Sequence, residues 1–424
     1  MRVEIINTGT ELMLGSVLNS HQQWLCRELS NRGLPVARQT SVPDTGREIE
    51  CAVRASLSRA DVVITTGGLG PTSDDVTREI IAQMLGRSLS ENAEVLDHIR
   101  TFFLARNRPM SERTAVQAMI IDGAVILENR EGTAPGMAIH VEPNPFRSGG
   151  KESWLIMLPG PGRELRPMFF GPVIQLLNRV FPVRESFACR VLRTVGIGES
   201  ILQERIERAL GEQRASGLEL GYCARPGQVD VRLSARGSGA AEQVAQAEHI
   251  LRTELGDGIF GTGEETLEQI VVGMLTQRKE TLALAESCTG GCVANRLTNV
   301  PGASAVFRAG WVTYSNEAKR QLAGVRPETL QRFGAVSEDV AREMAAGARH
   351  VCQTDYAIAI TGIAGPTGGS AAKPVGTVFT ALASAEGIQV RHDCHSWDRL
   401  TFKEVTANQA LNWLRLLLQK PKIG

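Results

Sequence analysis

The stretch that decides the fold runs from residue 65 to residue 75 and reads Thr65-Thr66-Gly67-Gly68-Leu69-Gly70-Pro71-Thr72-Ser73-Asp74-Asp75. It follows the apolar run Asp61-Val-Val-Ile64, which is typical of a parallel strand covered on both faces. Glycines directly after a strand let the backbone approach a ligand closely, and the next helix can direct its N-terminal amides at an anion. Adjacent carboxylates suit a hard cation such as Mg²⁺. The stretch therefore predicts a loop for phosphate and metal; the alternative is a tight loop in which Asp74 or Asp75 caps a helix.

Strand and helix patterns alternate on both sides of this loop over the first 170 residues. Strands are predicted at Val3–Thr8 and Val36–Val42, and helices near residues 22–29 and 47–58. Repeated βα units indicate a parallel, doubly wound sheet with right-handed crossovers. Ligands in such sheets bind at the carboxyl ends of strands. We therefore expect four carboxylates that follow strands to converge on one crevice: Glu11, Asp44, Asp74 and Asp75.

Composition limits the class of protein. At ~150 residues per domain, the 424 residues predict about three domains, and the 46 basic residues balance 46 acidic ones. A protein that grips a phosphate backbone usually carries a net basic domain, so we expect no nucleic-acid partner. No uncharged run approaches the ~18 residues of a membrane span, and Met1-Arg2 leads at once into a strand pattern rather than a secretory signal. We expect a cytoplasmic enzyme without a membrane partner, whose eight cysteines are reduced, buried thiols.

The remaining chain divides into two further predicted domains. The Pro/Gly-dense segment at residues 158–162 marks the exit from the first domain, and residues 185–257 read as a small α+β module. Parallel α/β patterns return at Glu264. The predicted domains are therefore 1–172, 183–260 and 264–424.

A second candidate site follows a buried strand of the last domain and reads Glu286-Ser287-Cys288-Thr289-Gly290-Gly291. A serine at this position presents its hydroxyl at the sheet edge, and the small residues after it leave backbone N–H groups for an oxyanion. No histidine lies in the segment, but Lys319 follows on a later helix, and a desolvated lysine can deprotonate a serine. The alternative is an N-cap serine with a surface lysine. Cys288 and Cys292 do not predict zinc, because no third ligand lies nearby.

Residues 1–170 resemble the molybdopterin-binding MoaB/MogA-type fold, in the branch found in competence- and damage-inducible CinA proteins. The matching strings are Gly9-Thr-Glu-Leu12, Gly67–Asp75 and Gly132-Thr-Ala-Pro-Gly136. The resemblance implies metal-dependent ADP-ribose pyrophosphatase activity, with Mg²⁺ or a similar divalent ion held by the four carboxylates and K⁺ as a second candidate ion. It implies these substrate-binding residues: Thr10, Gly67, Gly68, Gly70 and Thr72. The family's Pro-Gly-Val-Pro-x-Glu loop is altered here to Pro159-Gly-Pro-Gly-Arg-Glu164.

Residues 264–418 resemble the CinA C-terminal domain, whose members include nicotinamide mononucleotide (NMN) deamidase. The matching strings are Ala285–Gly291, Pro301–Ser304, Tyr314–Lys319, Gly334–Ser337, Thr361–Pro366 and Lys373–Thr377. The resemblance implies that Ser287 attacks the NMN amide, with Lys319 as base and Tyr314 supporting proton transfer, and without a cofactor. The implied substrate-binding residues are Thr289, Gly290, Gly291, Thr361, Gly362, Gly365 and Arg399, of which the loop at 362–369 and Arg399 hold the 5′-phosphate. The family's Phe-x-Gly-Asp-Arg is altered to His395-Ser-Trp-Asp-Arg399.

The middle module is comparable to the KH type by fold alone. Its loop Gly196-Ile-Gly-Glu199 carries an acid where a KH loop would hold phosphates, which favours a structural or dimerisation role, and we expect a homodimer. Together these patterns predict a pyridine nucleotide salvage enzyme with two hydrolytic activities. Two alternatives stay open: only one domain is active, or both pockets serve a nucleotide sensor or scaffold that binds without reacting.

Overall fold

A computed structural model describes residues 1–182 and 185–420 of the chain. The chain forms two compact units, Met1–Ala188 and Cys189–Gly424. The predicted first residue of the middle module, residue 183, and the last four residues of the predicted third domain lie outside the described residues.

The first unit consists of a six-stranded sheet with helices on both faces and a small two-stranded sheet. Its strands are β1 (Val3–Thr8), β2 (Val36–Val42), β3 (Val62–Thr66), β4 (Leu89–Glu91), β5 (Met119–Ile121), β6 (Val125–Leu127), β7 (Gly136–Val141) and β8 (Ser153–Leu158). Its α-helices are α1 (Thr10–Met13), α2 (Ser20–Ser30), α3 (Gly46–Leu57), α4 (Thr77–Met84), α5 (Ala93–Leu104), α6 (Gly162–Met168) and α7 (Ile174–Val180). Two apolar clusters pack against the sheet, one around Ile6, Val63 and Leu155 and one around Ile5, Ile64 and Ile156.

The strand order is β2-β1-β3-β8-β7-β6, and the predicted parallel sheet carries antiparallel strands at one edge. Strands β2, β1, β3 and β8 are parallel, whereas β7 is antiparallel to both β8 and β6. The connections at residues 128–135 and 142–152 contain no α-helix. Parallel neighbours need a crossover of about a dozen residues or more, usually a helix, so these strands can only turn back on themselves.

The second unit begins with a small α+β module whose sheet has the order β10-β11-β9-β12. Its strands are β9 (Phe187–Val195), β10 (Glu219–Arg225), β11 (Gln228–Arg236) and β12 (Ile259–Thr262), and its helices are α8 (Glu199–Ala209), α9 (Gly211–Ala215) and α10 (Ala240–Leu255). The module is thus of the predicted α+β kind.

The rest of the second unit is a five-stranded sheet of order β14-β13-β15-β16-β17 between helices. The strands are β13 (Leu282–Glu286), β14 (Phe307–Val312), β15 (Tyr356–Gly362), β16 (Thr377–Ser384) and β17 (Gly387–Cys394). The helices are α11 (Leu267–Arg278), α12 (Cys292–Thr298), α13 (Asn316–Ala323), α14 (Pro327–Phe333), α15 (Glu338–Cys352) and α16 (Arg399–Gln419). Only β14, β13 and β15 are parallel; β16 and β17 run antiparallel. Thr266 is the N-cap of α11 and Ser337 the N-cap of α15, and the side chain of each accepts a hydrogen bond from an amide of its helix.

The cysteines are free, but the prediction that they are buried is wrong for most of them. Cys288 is buried, whereas Cys51, Cys223 and Cys394 are exposed. None of the described helices combines the length and the apolar character that a membrane span requires.

Candidate active sites

A cavity of about 410 Å³ lies at the carboxyl ends of the parallel strands of the first unit. Most of its lining residues come from the ends of β1, β2, β3 and β8 and from the segments that follow: Thr8, Gly9, Glu11, Asp44, Gly67, Gly68, Leu69, Gly70, Pro71, Asp74, Asp75, Pro159, Gly160, Pro161 and Glu164. Gln117 comes from the 3₁₀ helix before β5, and Thr133 and Ala134 come from the loop before β7. All four predicted metal-binding carboxylates and the three predicted glycines therefore meet at one cavity.

The two predicted hydroxyl residues, Thr10 and Thr72, hold the carboxylates in position and are not among the lining residues. The Thr10 amide donates to Asp44 Oδ2 at 2.8 Å, and the Asp44 amide donates to Thr10 Oγ1 at 3.2 Å. The amide and the hydroxyl of Thr72 donate to Asp75 Oδ2 at 3.0 and 2.5 Å. The alternative, in which Asp74 or Asp75 caps the helix, is wrong, because Val76 is the N-cap of helix α4 and no side chain caps this helix.

Two glycines of the loop are required by its backbone. Gly67 and Gly68 have φ of 100° and 68°, the region that favours glycine. A Cβ on Gly68 would lie 1.9 Å from Thr77 Oγ1, and a Cβ on Gly67 would lie 2.7 Å from the Thr8 carbonyl oxygen. The loop is therefore packed onto β1 and α4 in a conformation that keeps its backbone at the cavity.

The cavity wall is strongly acidic. Five carboxylates line it, Glu11, Asp44, Asp74, Asp75 and Glu164, and no lysine or arginine is found among its described lining residues. An anionic ligand in such a cavity needs bound cations to offset the repulsion. No three of these carboxylates lie within 4.8 Å of one another among the described residues. The donor set thus fits Mg²⁺, which binds one or two carboxylates and keeps waters and substrate phosphate oxygens as its other ligands.

Elsewhere in the described chain, His140, Glu142 and Glu152 bring their ligand atoms within 4.8 Å of one another. This group is partly exposed, and the two ring nitrogens of His140 lie 3.6 and 2.7 Å from oxygens of Glu142 and Glu152 respectively. Both ring nitrogens of His140 are therefore paired with glutamate carboxylates, which explains the cluster without a metal ion.

Sequence reasoning missed Gln117 and Glu164 in this cavity. Glu164 is buried and accepts a hydrogen bond from Asn129 Nδ2 at 2.9 Å. A glycine at position 162 is explained by His21, whose ring carbon would lie 2.7 Å from a Cβ at that position. The altered loop therefore keeps its glutamate on the cavity wall. The family spacing to Glu164 was a usable signal, whereas nothing in the sequence marked Gln117.

In the second unit, the predicted serine and lysine are in contact. Lys319 Nζ lies 3.0 Å from Ser287 Oγ, 2.8 Å from the Thr313 carbonyl oxygen and 3.3 Å from the Tyr314 carbonyl oxygen. Ser287 is 8% exposed and Lys319 1%. The alternative of a surface lysine and an N-cap serine is therefore wrong; α12 begins at Cys292, with Gly291 at its N-cap.

Lys319 Nζ faces three oxygen acceptors and donates to Ser287 Oγ as well as to the carbonyls of Thr313 and Tyr314. Burial lowers the pKa of Lys319, a shift that the neighbouring Cys288 opposes. A neutral amine has two N–H donors and one lone pair, and carbonyl oxygens can only accept. When Lys319 loses a proton, the two carbonyls therefore keep the two remaining N–H groups, and the lone pair faces Ser287 Oγ. This is the geometry of a general base next to a nucleophile.

The turn that carries Ser287 is held by a buried carboxylate. Glu286 is 1% exposed and accepts hydrogen bonds from the amides of Gly291, Val293 and Ala294 at 2.8–3.2 Å. The Ser287 amide donates to the Ile360 carbonyl, which fixes the nucleophile against β15. Glu286 belongs to the predicted motif, but no role was predicted for it. Its position at the end of a buried strand, before a helix without a capping side chain, was the sequence signal for this role.

The amides predicted for an oxyanion are partly engaged. The Gly290 amide donates to the Ser287 carbonyl and the Gly291 amide to Glu286. The amides of Cys288 and Thr289 are directed at the Cys288 sulfur, a weak acceptor that an oxyanion would displace, which makes these two the candidate oxyanion donors. Burial raises the pKa of the Cys288 thiol to about 12, so Cys288 stays a neutral thiol.

Tyr314 is placed differently from its predicted role. Its side chain is 62% exposed, and its hydroxyl accepts from Arg399 Nη2 at 2.9 Å. In the described chain no hydrogen bond joins this hydroxyl to Ser287 or Lys319; the contact with Lys319 is made by the Tyr314 carbonyl. Arg399 also donates to the Gly365 carbonyl at 2.8 Å. Arg399 thus joins the predicted 5′-phosphate loop to Tyr314.

Two predicted substrate-binding threonines are buried. Thr289 and Thr361 are both 0% exposed, and Thr361 donates to the Ala335 carbonyl at 2.7 Å. Gly362 and Gly290 lie beside the nucleophile turn: a Cβ on Gly362 would lie 3.0 Å from Cys288 Sγ, and one on Gly290 would lie 3.6 Å from Lys403 Nζ. Lys403, which sequence reasoning missed, follows Arg399 by one helical turn on α16 and adds a second cation at the site.

Three family descriptions match the chain in the order of its domains. They are "Probable molybdopterin binding domain" at residues 4–179, "Damage-inducible protein CinA KH domain" at residues 189–261 and "CinA C-terminal domain" at residues 264–418. A "CinA-like protein" from Akkermansia muciniphila is 44% identical over 412 residues, 97% of this chain and 96% of its own length. The chain belongs to the CinA family.

Other comparisons agree with this membership. A CinA-like protein from Kosmotoga olearia is 40% identical over 421 residues, 99% of either chain. Among solved structures, the competence/damage inducible protein CihA from Agrobacterium tumefaciens has 41% identity, covers 36% of this chain and 96% of its own, and has a TM-score of 0.34. The three matched domain descriptions give this CinA-family chain the expected MoaB/MogA-like first domain, KH-like middle module and CinA C-terminal domain.

Proposed function

We propose that the second unit hydrolyses the carboxamide of NMN, giving nicotinic acid mononucleotide and ammonia. The observation that carries the proposal is the 3.0 Å contact between Ser287 Oγ and a buried Lys319 whose pKa is lowered. A Ser–Lys pair is an amide-hydrolysing arrangement that needs no histidine. The CinA C-terminal family supplies the choice of NMN as the amide.

The reaction takes two steps. Ser287 Oγ forms a bond to the carboxamide carbon while its proton passes to Lys319 Nζ, and the oxyanion is held by the amides of Cys288 and Thr289. The C–N bond then breaks as Lys319 returns the proton to the leaving nitrogen, which departs as ammonia. Water then attacks the ester carbon while its proton passes to Lys319 Nζ. The C–Oγ bond breaks as Lys319 returns that proton to Ser287 Oγ, which releases the carboxylic acid and restores the free serine.

The 5′-phosphate of NMN is matched by cations at the rim of this site. Arg399 is exposed at the first residue of α16, next to the Gly365 carbonyl, and Lys403 lies beside Gly290. A guanidinium presents a planar fork to phosphate, and an ammonium acts as a point charge. We assign both residues to the phosphate, so that the nicotinamide ring reaches Ser287.

We further propose that the first unit cleaves the diphosphate of ADP-ribose to AMP and ribose 5-phosphate. Support comes from the acidic cavity, where one or two of four carboxylates would hold a divalent ion: Glu11, Asp44, Asp74 and Asp75. When bound, such an ion neutralises the diphosphate and polarises its phosphoryl oxygens. Thr10 and Thr72 orient two of these carboxylates, and the Gly67–Gly70 backbone brings the phosphates close to the loop.

Both activities are tested on the full chain. Ammonia release from NMN and AMP release from ADP-ribose with Mg²⁺ are measured in parallel, and we expect both. A chain that releases neither product, yet melts at a higher temperature with either nucleotide, would be a sensor or scaffold, and the proposal would be wrong. Release of one product alone would assign the activity to one unit.

A further inference from the structure

Gln117 has an unsatisfied polar atom at the wall of the acidic cavity. The residue lines the cavity and is 2% exposed. Its side-chain Oε1 is shielded from solvent and accepts no hydrogen bond from the described residues. Buried polar side-chain atoms are nearly always hydrogen-bonded, and an unpaired acceptor destabilises the folded state. An amide at this position therefore needs a reason.

The local structure gives no such reason. Gln117 lies in a 3₁₀ helix, Glu112–Ala118, that leads into β5. The side-chain hydrogen bond of this segment joins Ser111 and Thr114. An unbranched apolar side chain of the same length, such as methionine, could fill the space without burying an unpaired oxygen.

Gln117 lines the cavity in which a ligand would bind. Among the described residues that carry a buried, unpartnered side-chain atom, Gln117 alone lines this cavity. The other hydrogen-bonding side chains that face the cavity are mainly carboxylates, which suit cations. The Gln117 carbonyl oxygen is uncharged and accepts hydrogen bonds, so a donor group of a ligand can satisfy it.

We propose that Gln117 is a specificity residue that binds a hydroxyl or amino group on the sugar or base of the nucleotide in this cavity. The inference rests on the proposed nucleotide function of the cavity. A diphosphate bridge carries no donor hydrogen at neutral pH, and the five carboxylates of the wall already accept from the waters of a bound cation, so we assign the carbonyl to the uncharged part of the ligand. The last side-chain torsion of glutamine is soft, and the amide can turn onto a ligand group without movement of the backbone.

The test compares the parent with Gln117→Met, which keeps the side-chain length and removes the amide. The probe is α,β-methylene ADP with Mg²⁺, whose P–C–P bridge cannot be hydrolysed, and calorimetry gives its Kd. We expect Kd to rise about fivefold to tenfold, the effect of one lost hydrogen bond. Without nucleotide, we expect the variant to melt at least as high as the parent, because an unpaired buried oxygen has been removed.

Thr406→Val is the matched control. Thr406 is 0% exposed on α16 of the other unit, and its hydroxyl is also buried without a partner. This variant removes an unpaired oxygen from the unit that does not contain the cavity, so its Kd for the probe should equal that of the parent.

Two further probes identify the donor. The 2′-deoxy analogue lacks a sugar hydroxyl, and the inosine analogue lacks the base amine. For the parent, loss of the contacted group should raise Kd about fivefold, and in Gln117→Met the same loss should change Kd less than twofold. Equal losses in parent and variant for both analogues, or an unchanged Kd in Gln117→Met, would overturn the inference and leave the proposed function intact. A parent that does not bind the probe with Mg²⁺ would overturn both.

Discussion

The two candidate sites lie at the same end of their sheets but differ in chemistry: the first is built from carboxylates and the second from a serine and a lysine. Each is at the carboxyl ends of parallel strands that turn into glycine-rich loops. The first is an open cavity with five carboxylates and no basic lining residue among those described. The second is a hydrogen-bonded pair of one serine and one lysine, both of which are buried. The difference indicates that the first site must borrow positive charge from bound ions, whereas the second carries its own base.

The strongest test of this comparison is Ser287→Ala. Because the nucleophile is lost, we expect ammonia release from NMN to fall at least about 10⁴-fold, while ADP-ribose cleavage is unchanged. Ser384→Ala is the control, since Ser384 ends β16 beside the first residue of β15, away from the carboxyl ends of the parallel strands. Retention of ammonia release by Ser287→Ala would rule out the Ser–Lys mechanism.

Lys319→Arg tests whether the second site needs a base or only a positive charge. Arginine stays protonated, so we expect a loss of about 10²- to 10⁴-fold in kcat for NMN. In the parent, kcat/KM should fall as the pH drops through the lowered pKa of Lys319, because the protonated amine cannot accept the Ser287 proton. Activity that survives in the variant with the same acidic limb would assign the limb to another group.

Chelation and Thr72→Val test the borrowed charge of the first site. EDTA should abolish ADP-ribose cleavage and leave NMN hydrolysis unchanged. Thr72 donates two hydrogen bonds to Asp75, and the loss of its hydroxyl should raise the Mg²⁺ concentration for half activity by roughly 10- to 100-fold, as for other residues that orient a metal ligand. Thr72→Ser should restore the parent value, and cleavage that resists chelation would contradict the assignment.

The smallest expected effect is that of Lys403→Ala. Loss of one cation beside Gly290 should raise KM for NMN about tenfold, with kcat changed less than twofold. Nicotinamide riboside, which lacks the phosphate, serves as the matched substrate, and its KM should be the same for parent and variant. A loss of the same size for the riboside would show that Lys403 positions the nucleophile turn instead.

The sequence predicted the strands, loops and principal residues of both sites, because each loop is read directly from a buried strand and its glycines. It could not predict Gln117 or Lys403, since each reaches its site through tertiary packing from a distant element. It also misplaced the Tyr314 hydroxyl, because strand and helix patterns fix the backbone of residue 314 and not its side-chain rotamer. The antiparallel edges were missed because buried strands of either direction share the same apolar runs.

The carboxylate of Glu286 has a consequence for the free protein. It ties three amides of α12 to the end of β13 from a buried position. These amide hydrogens can exchange with solvent deuterium only when the carboxylate releases them, so Gly291, Val293 and Ala294 should exchange slowly and at one common rate. Their protection reports, with no substrate bound, how much of the time the nucleophile turn is assembled.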